Sequence, residues 1–224
     1  GEWRPAASGE TMENRSPSDR DDLIGHFAAS TAEDVDAAVG AAAEAYRTWR
    51  FSSPIARANI LHKAANILES RIPDVGRELT REEGKTLKEG MGETTRAVQI
   101  LRYYAGEVQQ PSGEHYPSAN PLTLLYTTRD PLGVVSVITP WNFPIAIPAW
   151  KIAPAIAFGN TVVFKPASLT PLSAVRLIEA LAEAGLPAGV VNMVTGSSRQ
   201  VGDPLVRDPR VVAITFTGSN ETGA

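Results

Sequence analysis

Apolar residues in the first half of the chain recur at intervals of three and four, the spacing of one face of an α-helix. The first such stripe consists of Val35, Val39, Ala42, Tyr46 and Trp49. It follows Ser30-Thr31-Ala32-Glu33, which has the form of a capping box. Three more helices are predicted, from Pro54, from Pro73 to Gly84 and from Leu87 to Gly106. Because no linker follows them, we expect all four helices to form one helical layer.

Two shorter patterns flank these helices. Residues 1–30 predict short strands at Glu2-Trp3, at 11–14 and at 23–29, separated by turn residues. After the helices, a polar stretch rich in turn residues leads into two extended segments, 114–118 and 122–128. We predict that these two segments pair as a protruding β-arm.

From residue 133 the pattern changes to uninterrupted apolar runs, which are typical of parallel strands buried on both faces. Gly133 to Ile138 is the first run, and Thr161 to Phe164 is the second. The segment between them, 144–158, is apolar almost all round and predicts a buried helix, so the span is a βαβ unit. The same rhythm continues with a helix at 171–184, a strand at 190–194, a short helix at 199–207 and a strand at 211–216.

This alternation predicts an α/β fold with a doubly wound, Rossmann-like parallel sheet, an N-terminal helical layer and a β-arm. We divide the chain accordingly into three parts. Residues 1–110 hold the N-terminal strands and the helical layer, 111–130 the arm, and 131–224 the Rossmann-like core.

The composition excludes several classes of function. The 224 residues carry a net charge of −4, which argues against a nucleic-acid partner. There is no cysteine, and the three histidines show no ligand spacing, so we expect neither a disulfide nor a metal site. No apolar run reaches the length of a membrane span, and the first residues do not resemble a signal peptide. We therefore expect a cytoplasmic protein.

Ligands of open parallel sheets bind outside the carboxyl ends of the strands, so the residues at those ends are the candidate site. Lys165 there is either a surface lysine that ends a strand or an ammonium that reaches ribose or phosphate oxygens. Asn142 either satisfies a turn or donates a hydrogen bond to an oxyanion. Gly218 and Ser219 open a helix, which suits a phosphate, although the pattern alone is equally consistent with a plain turn. The G-x-G-x-x-G fingerprint is absent.

Four motifs occur in order along the chain: Trp141-Asn142-Phe143-Pro144, Lys165-Pro166-Ala167-Ser168, 184–192 and Phe216-Thr217-Gly218-Ser219. Together they resemble the aldehyde dehydrogenase superfamily over nearly the whole chain. The resemblance implies that Asn142 is the oxyanion-hole donor of the catalytic site and that Lys165 binds the adenosine ribose. The other positions that it implies for the dinucleotide are Thr139, Pro140, Trp141, Pro166, Ala167, Ser168, Gly202, Phe216, Thr217, Gly218 and Ser219.

The resemblance also implies a substrate site and partners. Phe143 and Trp150 match positions that line the substrate tunnel, although aromatic residues of this kind are more often core residues. The arm resembles an oligomerisation strand, so the complete protein is expected to form a dimer or tetramer. The substrate is expected to be an aldehyde, and the pattern is most similar to semialdehyde dehydrogenases of sugar-acid catabolism, such as those acting on 2-oxoglutarate semialdehyde.

Two departures from the family pattern change the expectation. The family's cysteine nucleophile and general-base glutamate follow the Phe-Thr-Gly-Ser motif, so we expect both beyond this chain, which should be inactive alone. Ser168 stands where relatives that prefer NAD usually carry a glutamate, which favours NADP, with NAD as second choice. The alternative is a stand-alone, non-catalytic nucleotide-binding or interaction module.

Overall fold

The computed structural model describes residues 1–223. Its N-terminal half contains the strands β1 (Thr11–Arg15) and β2 (Leu23–Ala28), followed by the helices α1 (Ala32–Trp49), α2 (Pro54–Ser70), α3 (Ile72–Glu83) and α4 (Leu87–Glu107). A short hairpin follows, formed by β3 (His115–Tyr116) and β4 (Leu125–Tyr126). The second half continues with β5 (Val134–Ile138), α5 (Ala146–Ala157), β6 (Thr161–Lys165), α6 (Pro171–Glu183) and β7 (Val191–Met193). It ends with a π-helical turn (Ser198–Gly202), α7 (Asp203–Arg207), β8 (Val211–Phe216) and α8 (Asn220–Gly223).

Local sequence signals set several of the helix ends. The Ser53 hydroxyl accepts a hydrogen bond from the Ala56 backbone nitrogen at 3.1 Å and so caps α2. Gly84 ends α3 with a left-handed backbone, φ 89°, which favours glycine. The capping box of α1 lies one residue later than predicted, because the Asp34 carboxylate accepts from the Thr31 backbone nitrogen at 2.8 Å.

Two other predicted elements differ from the structure. The predicted strand at Glu2-Trp3 is wrong: these residues belong to no strand in the described part of the chain, and Trp3 is exposed. The predicted helix at 199–207 is a π-helical turn that continues into an α-helical turn, because Pro204 begins a new turn there.

Four parallel strands form the central sheet in the order β7-β6-β5-β8. Successive side chains of a strand point to opposite faces, and both faces are buried here. On one face, Val137 and Phe164 pack with α5 and α6 in the larger hydrophobic core. On the other, Val134 and Val163 pack with α1 and α7. Helices on both faces confirm the predicted doubly wound α/β fold.

The helical layer contains three helices, not four. Helices α2, α3 and α4 pack against α5 and α6 on one side of the sheet, whereas α1 packs on the opposite side against β5, β6 and β7. The sequence of α1 gave no sign of this, because an amphipathic stripe does not specify which face of a sheet it covers.

The hairpin between the two halves is shorter and more exposed than a sheet strand. Leu125 and Tyr126 pair with His115 and Tyr116, and the leucine side chain at position 122 is 94% exposed. No helix within residues 1–223 is long and apolar enough to cross a lipid bilayer.

The strand order also places the site. The chain moves outward from β5 through β6 to β7 and then returns to the other side of β5 with β8. The order therefore reverses between β5 and β8, and a crevice opens at such a point outside the carboxyl ends of the strands.

Candidate functional site

The three predicted motifs at strand ends meet at one edge of the sheet. Ile138, the last residue of β5, lies opposite Lys165 of β6 on one side and Phe216 of β8 on the other. Backbone hydrogen bonds extend this register, from Thr139 N–H to the Lys165 carbonyl (3.3 Å) and from Thr217 N–H to the Ile138 carbonyl (3.1 Å). The residues that follow each strand therefore share one region of the surface.

Lys165 is a buried cation without an anionic partner. The residue is only 6% exposed to solvent, and its ammonium donates to the Pro166 carbonyl at 3.3 Å. No carboxylate among residues 1–223 lies within ion-pair distance of it. Burial lowers the pKa of Lys165 below its ordinary value. Such a lysine gains from a ligand that brings hydroxyl or phosphate oxygens.

Gly202, in the π-helical turn, lies against the stem of Lys165. A Cβ atom at this position would come within 3.9 Å of Lys165 Cδ and Cε and within 3.7 Å of Ser198 Cβ. The small residue keeps the space beside the lysine open. The structure thus brings together Lys165 and Gly202, which are far apart in the sequence.

Ser168, in the turn after β6, is held by a hydrogen bond to the segment after β7. Its hydroxyl donates to the Gly196 carbonyl at 2.8 Å, so its lone pairs remain free to accept from a ligand. Donation to a phosphate requires that this bond be released, a condition that the sequence did not show. Pro166 is buried and Ala167 half-buried beside it.

The end of β8 forms a concave surface of about 430 Å³, lined by Phe216, Thr217, Gly218, Ser219, Asn220 and Gly223. A Cβ atom at Gly218 would lie only 2.9 Å from Phe216 Cε2, so a larger residue would displace the ring. The Ser219 hydroxyl accepts from the Thr222 backbone nitrogen at 3.2 Å and fixes the turn. Together with the buried ammonium of Lys165, this open, glycine-lined surface fits a dinucleotide.

Asn142 lies beyond this edge, in a separate cleft of about 460 Å³. It is exposed, and its side-chain amide makes no hydrogen bond within residues 1–223. Phe143 and Trp150 line the same cleft and are 45% and 43% exposed. Both aromatic residues therefore face the cleft instead of the core. An amide donor of this kind can bind a carbonyl oxygen of a ligand.

Sequence reasoning missed two residues on the other wall of this cleft, Lys85 and Glu93. Glu93 lies on the buried face of α4, three residues after Gly90 and four before Ala97, where the helix pattern calls for an apolar residue. Because a carboxylate at a core position requires a polar partner, this position was the sequence signal that could have identified Glu93. Within residues 1–223, no group of three or more metal-ligating side chains is arranged to hold a metal ion.

Comparison with known proteins agrees with this geometry. The model of the aldehyde dehydrogenase family matches residues 3–224. The chain belongs to the aldehyde dehydrogenase family. It is 50% identical over 223 residues to an alpha-ketoglutaric semialdehyde dehydrogenase of Bacillus subtilis, a match that covers 100% of this chain and 46% of the relative. The chain thus spans about half the length of the curated relatives that it matches.

Solved structures of other proteins share the fold. An NADP-dependent enzyme of E. coli superimposes with a TM-score of 0.96 at 39% identity, covering 100% of this chain and 46% of that one. A betaine aldehyde dehydrogenase of Staphylococcus aureus in complex with NAD+ has the same TM-score at 33% identity. That match covers 100% of this chain and 44% of the Staphylococcus aureus chain. The aldehyde dehydrogenase fold is therefore shown.

Proposed function

We propose that this chain is the NAD(P)-binding portion of an aldehyde dehydrogenase that oxidises an aldehyde or semialdehyde to a carboxylic acid. The observation that carries the proposal is the free amide of Asn142 in a cleft next to the sheet edge that presents Lys165 and Gly218. In the overall reaction the aldehyde and water become the acid. The nicotinamide, when bound, accepts the hydride, and a proton is released.

The residues of this chain would bind and orient. The Asn142 amide would donate to the substrate oxygen and hold it as negative charge develops. Lys165 would donate to ribose hydroxyls, with Gly202 leaving room beside it, and the backbone at Gly218 and Ser219 would approach the pyrophosphate. Thr139, Pro140 and Trp141 would form the wall between the substrate and the dinucleotide. Pro166 and Ala167 would lie on the opposite side of the dinucleotide.

The nucleophile and the general base are part of the proposal but not of this chain. The family resemblance assigns them to a cysteine and a glutamate after the Phe-Thr-Gly-Ser motif, and the 224 residues contain no cysteine. We therefore propose that residues 1–224 alone do not oxidise aldehydes, and that the complete enzyme does.

NADP is the proposed cofactor, with NAD as second choice. The serine at position 168 is small and uncharged, and Lys165 supplies a positive charge at the same strand exit. A 2′-phosphate meets no carboxylate at that position. A ribose 2′-hydroxyl can still donate to the serine oxygen, whose own proton is bonded to the Gly196 carbonyl.

The proposed substrate is a semialdehyde that carries a carboxylate, such as 2-oxoglutarate semialdehyde. Support comes from the relative with 50% identity, which is an alpha-ketoglutaric semialdehyde dehydrogenase. Arg96 also lines the cleft with Asn142, over the Trp150 ring at 5.9 Å, and would pair with the substrate carboxylate, whereas Glu89 in the same lining carries the opposite charge.

A test of the proposal uses the complete enzyme and the chain separately. The complete enzyme should reduce NADP in the presence of 2-oxoglutarate semialdehyde, and more slowly with uncharged aldehydes of similar length. The 224-residue chain should bind NADP, and this binding should quench the tryptophan fluorescence of the chain. Lys165→Met should weaken that binding, whereas Lys88→Met, at an exposed lysine on α4, should not. Absence of both activity and binding would reject the proposal.

Oligomerisation and location complete the proposal. The hairpin leaves Leu122, Leu124 and Tyr126 exposed, which suits an arm (residues 111–130) that pairs with a second copy in a dimer or tetramer. A cytoplasmic location is supported by the composition alone.

A further inference from the structure

Lys85 and Glu93 form a buried ion pair under the cleft that holds Asn142. The ammonium of Lys85 lies 2.6 Å from Glu93 Oε2, and the Glu93 side chain is 2% exposed. A second carboxylate, Glu83, lies 2.8 Å from the same ammonium. Burying charges costs free energy that a simple apolar contact would not, so such a pair is weak evidence for stability and calls for another reason.

Both members of the pair bind the backbone that carries Asn142. Lys85 donates to the carbonyl oxygen of Asn142 at 3.1 Å, and its ammonium lies 4.5 Å from the centre of the Phe143 ring. Glu93 Oε1 accepts from the backbone nitrogens of Ile145 (3.0 Å) and Ala146 (3.1 Å). The ion pair therefore holds the segment 142–146 at both ends.

The Glu93 contact replaces a local cap. Ile145, the N-cap residue of α5, has no side-chain oxygen with which to bind the first free N–H groups of the helix. A carboxylate supplied from α4 satisfies two of them and lies at the positive end of the helix dipole. The start of α5 is thereby fixed relative to the helical layer.

The orientation of Asn142 depends on this backbone. Its amide has no hydrogen-bond partner among residues 1–223, so no side-chain hydrogen bond holds it. On the sheet side the chain is fixed by the hydrogen bond from Thr139 N–H to the Lys165 carbonyl. On the helix side it is fixed by Lys85 and Glu93, and also by the first turn of α5 through the hydrogen bond from Ile147 N–H to the Phe143 carbonyl (3.1 Å).

We propose that Lys85 and Glu93 are positioning residues that hold the Asn142 amide in the geometry required to bind the substrate oxygen. The inference rests on the proposed function, because it assigns Asn142 the oxyanion. Catalytic groups must be held within a fraction of an ångström, and a misplacement of about 1 Å can cost about 10²-fold in rate.

The experiment measures kcat, the KM for NADP and the melting temperature of the complete enzyme. Lys85→Met should lower kcat about 10- to 100-fold. The KM for NADP should change less than about twofold, because Lys85 lies on the substrate side of the site and its replacement removes no cofactor contact. Lys85→Arg, which keeps the charge and donors, should recover most of kcat. The matched control is Lys88→Met, which makes the same replacement at an exposed lysine three residues further along the chain, in the first turn of α4.

A double-mutant cycle separates positioning from general stability. If Lys85 acts through Asn142, Lys85→Met should lower kcat little further in an Asn142→Ala background. A merely structural role would lower kcat equally in both backgrounds. Glu93→Gln, which keeps one acceptor for α5 but removes the charge that binds Lys85, should behave like Lys85→Met and serves if the latter does not fold.

The outcomes distinguish this inference from the proposed function. If Asn142→Ala itself leaves kcat unchanged, the oxyanion role fails, and the positioning role fails with it. If Asn142→Ala lowers kcat but Lys85→Met and Glu93→Gln do not, or if their effects add fully to that of Asn142→Ala, only the positioning role is overturned.

Discussion

The side chain of Glu82, on α3, accepts hydrogen bonds from both the backbone nitrogen (2.8 Å) and the hydroxyl (2.6 Å) of Ser173, at the start of α6. It also accepts from the backbone nitrogen of Leu172 at 2.7 Å. Thr170, the N-cap residue of α6, makes no capping bond of its own. Glu82 therefore caps the start of α6, as Glu93 caps the start of α5. The helical layer thus supplies a carboxylate to the start of α5, after β5, and to the start of α6, after β6.

We expect Glu82→Ala to destabilise the fold by at least about 3 kcal/mol, because each buried donor left without an acceptor costs ~1–3 kcal/mol. Three donors lose their partner in this variant. The control is Glu44→Ala, at an exposed glutamate whose one ion-pair partner among the described residues is Arg47, and its effect should stay within about 0.5 kcal/mol. Unfolding in urea measures both. Equal midpoints for the two variants would contradict the capping role.

The same carboxyl should make stability depend on pH. Burial raises the pKa of Glu82 above its ordinary value of 4.5, and the hydrogen bonds from Ser173 only partly offset this. The folded chain then binds the proton more tightly than the unfolded chain, so the contribution of Glu82 to stability falls as the pH rises from the unfolded pKa through the folded one. The free-energy difference between wild type and Glu82→Ala should therefore be larger near pH 5 than near pH 8. Urea unfolding at both values checks the sign, and a difference that grows with pH would contradict it.

A close contact between α3 and α4 predicts a second stability effect. A Cβ atom at Gly90 would lie 2.6 Å from the backbone oxygen of Gly76, and backbone cannot move as a flexible side chain can. We expect Gly90→Ala to cost about 1–3 kcal/mol through overpacking. Gly106→Ala in the same helix is the control, because nothing lies within 4 Å of its Cβ position. That variant should gain up to about 1 kcal/mol. Thermal unfolding that shifts both variants in the same direction would disprove this contact.

Features that depend on local sequence were predictable. The apolar runs at 133–138 and 161–164 became β5 and β6 because such runs are stable only between two layers. The Ser53-Pro54 start of α2 and the Gly84 end of α3 depend on the backbone chemistry of single residues. These signals lie within a few residues of the features that they set.

Features that depend on contacts distant in sequence were not predictable. The place of α1 on the opposite face of the sheet depends on its packing against β5, β6 and α7, which lie far from it in the sequence. Lys85 and Glu93 meet the segment after Asn142 from more than fifty residues away, and neither forms a motif with it. The bond from Ser168 to Gly196 likewise appears only once β6 and β7 are adjacent.

Asn142→Ala in the complete enzyme should lower kcat by about 10²–10³-fold, because an oxyanion donor acts mainly in the transition state. The KM for NADP should change little. Asn59→Ala, at an exposed asparagine on α2 without a side-chain hydrogen bond among the described residues, is the control and should leave kcat unchanged. Steady-state kinetics with saturating NADP measures both. A kcat for Asn142→Ala within about twofold of wild type would remove Asn142 from the mechanism.

The residue at position 168 predicts the choice between NADP and NAD. A carboxylate beside the ribose accepts hydrogen bonds from a 2′-hydroxyl but repels a 2′-phosphate. Ser168 adds no charge there, and the ammonium of Lys165 lies at the same strand exit. Ser168→Glu should therefore shift kcat/KM toward NAD by at least roughly tenfold, mainly by penalising NADP, since like charges placed together cost several kcal/mol.

Ser168→Ala is the matched variant for this prediction. It removes the hydrogen bond to the Gly196 carbonyl without adding charge, so it should keep the preference of the wild type while lowering stability slightly. Measuring kcat/KM for both cofactors on the three proteins isolates the effect of charge from that of the lost hydroxyl. Strong NAD preference already in the wild type, or an equal shift in Ser168→Ala and Ser168→Glu, would show that charge at this position does not select the cofactor.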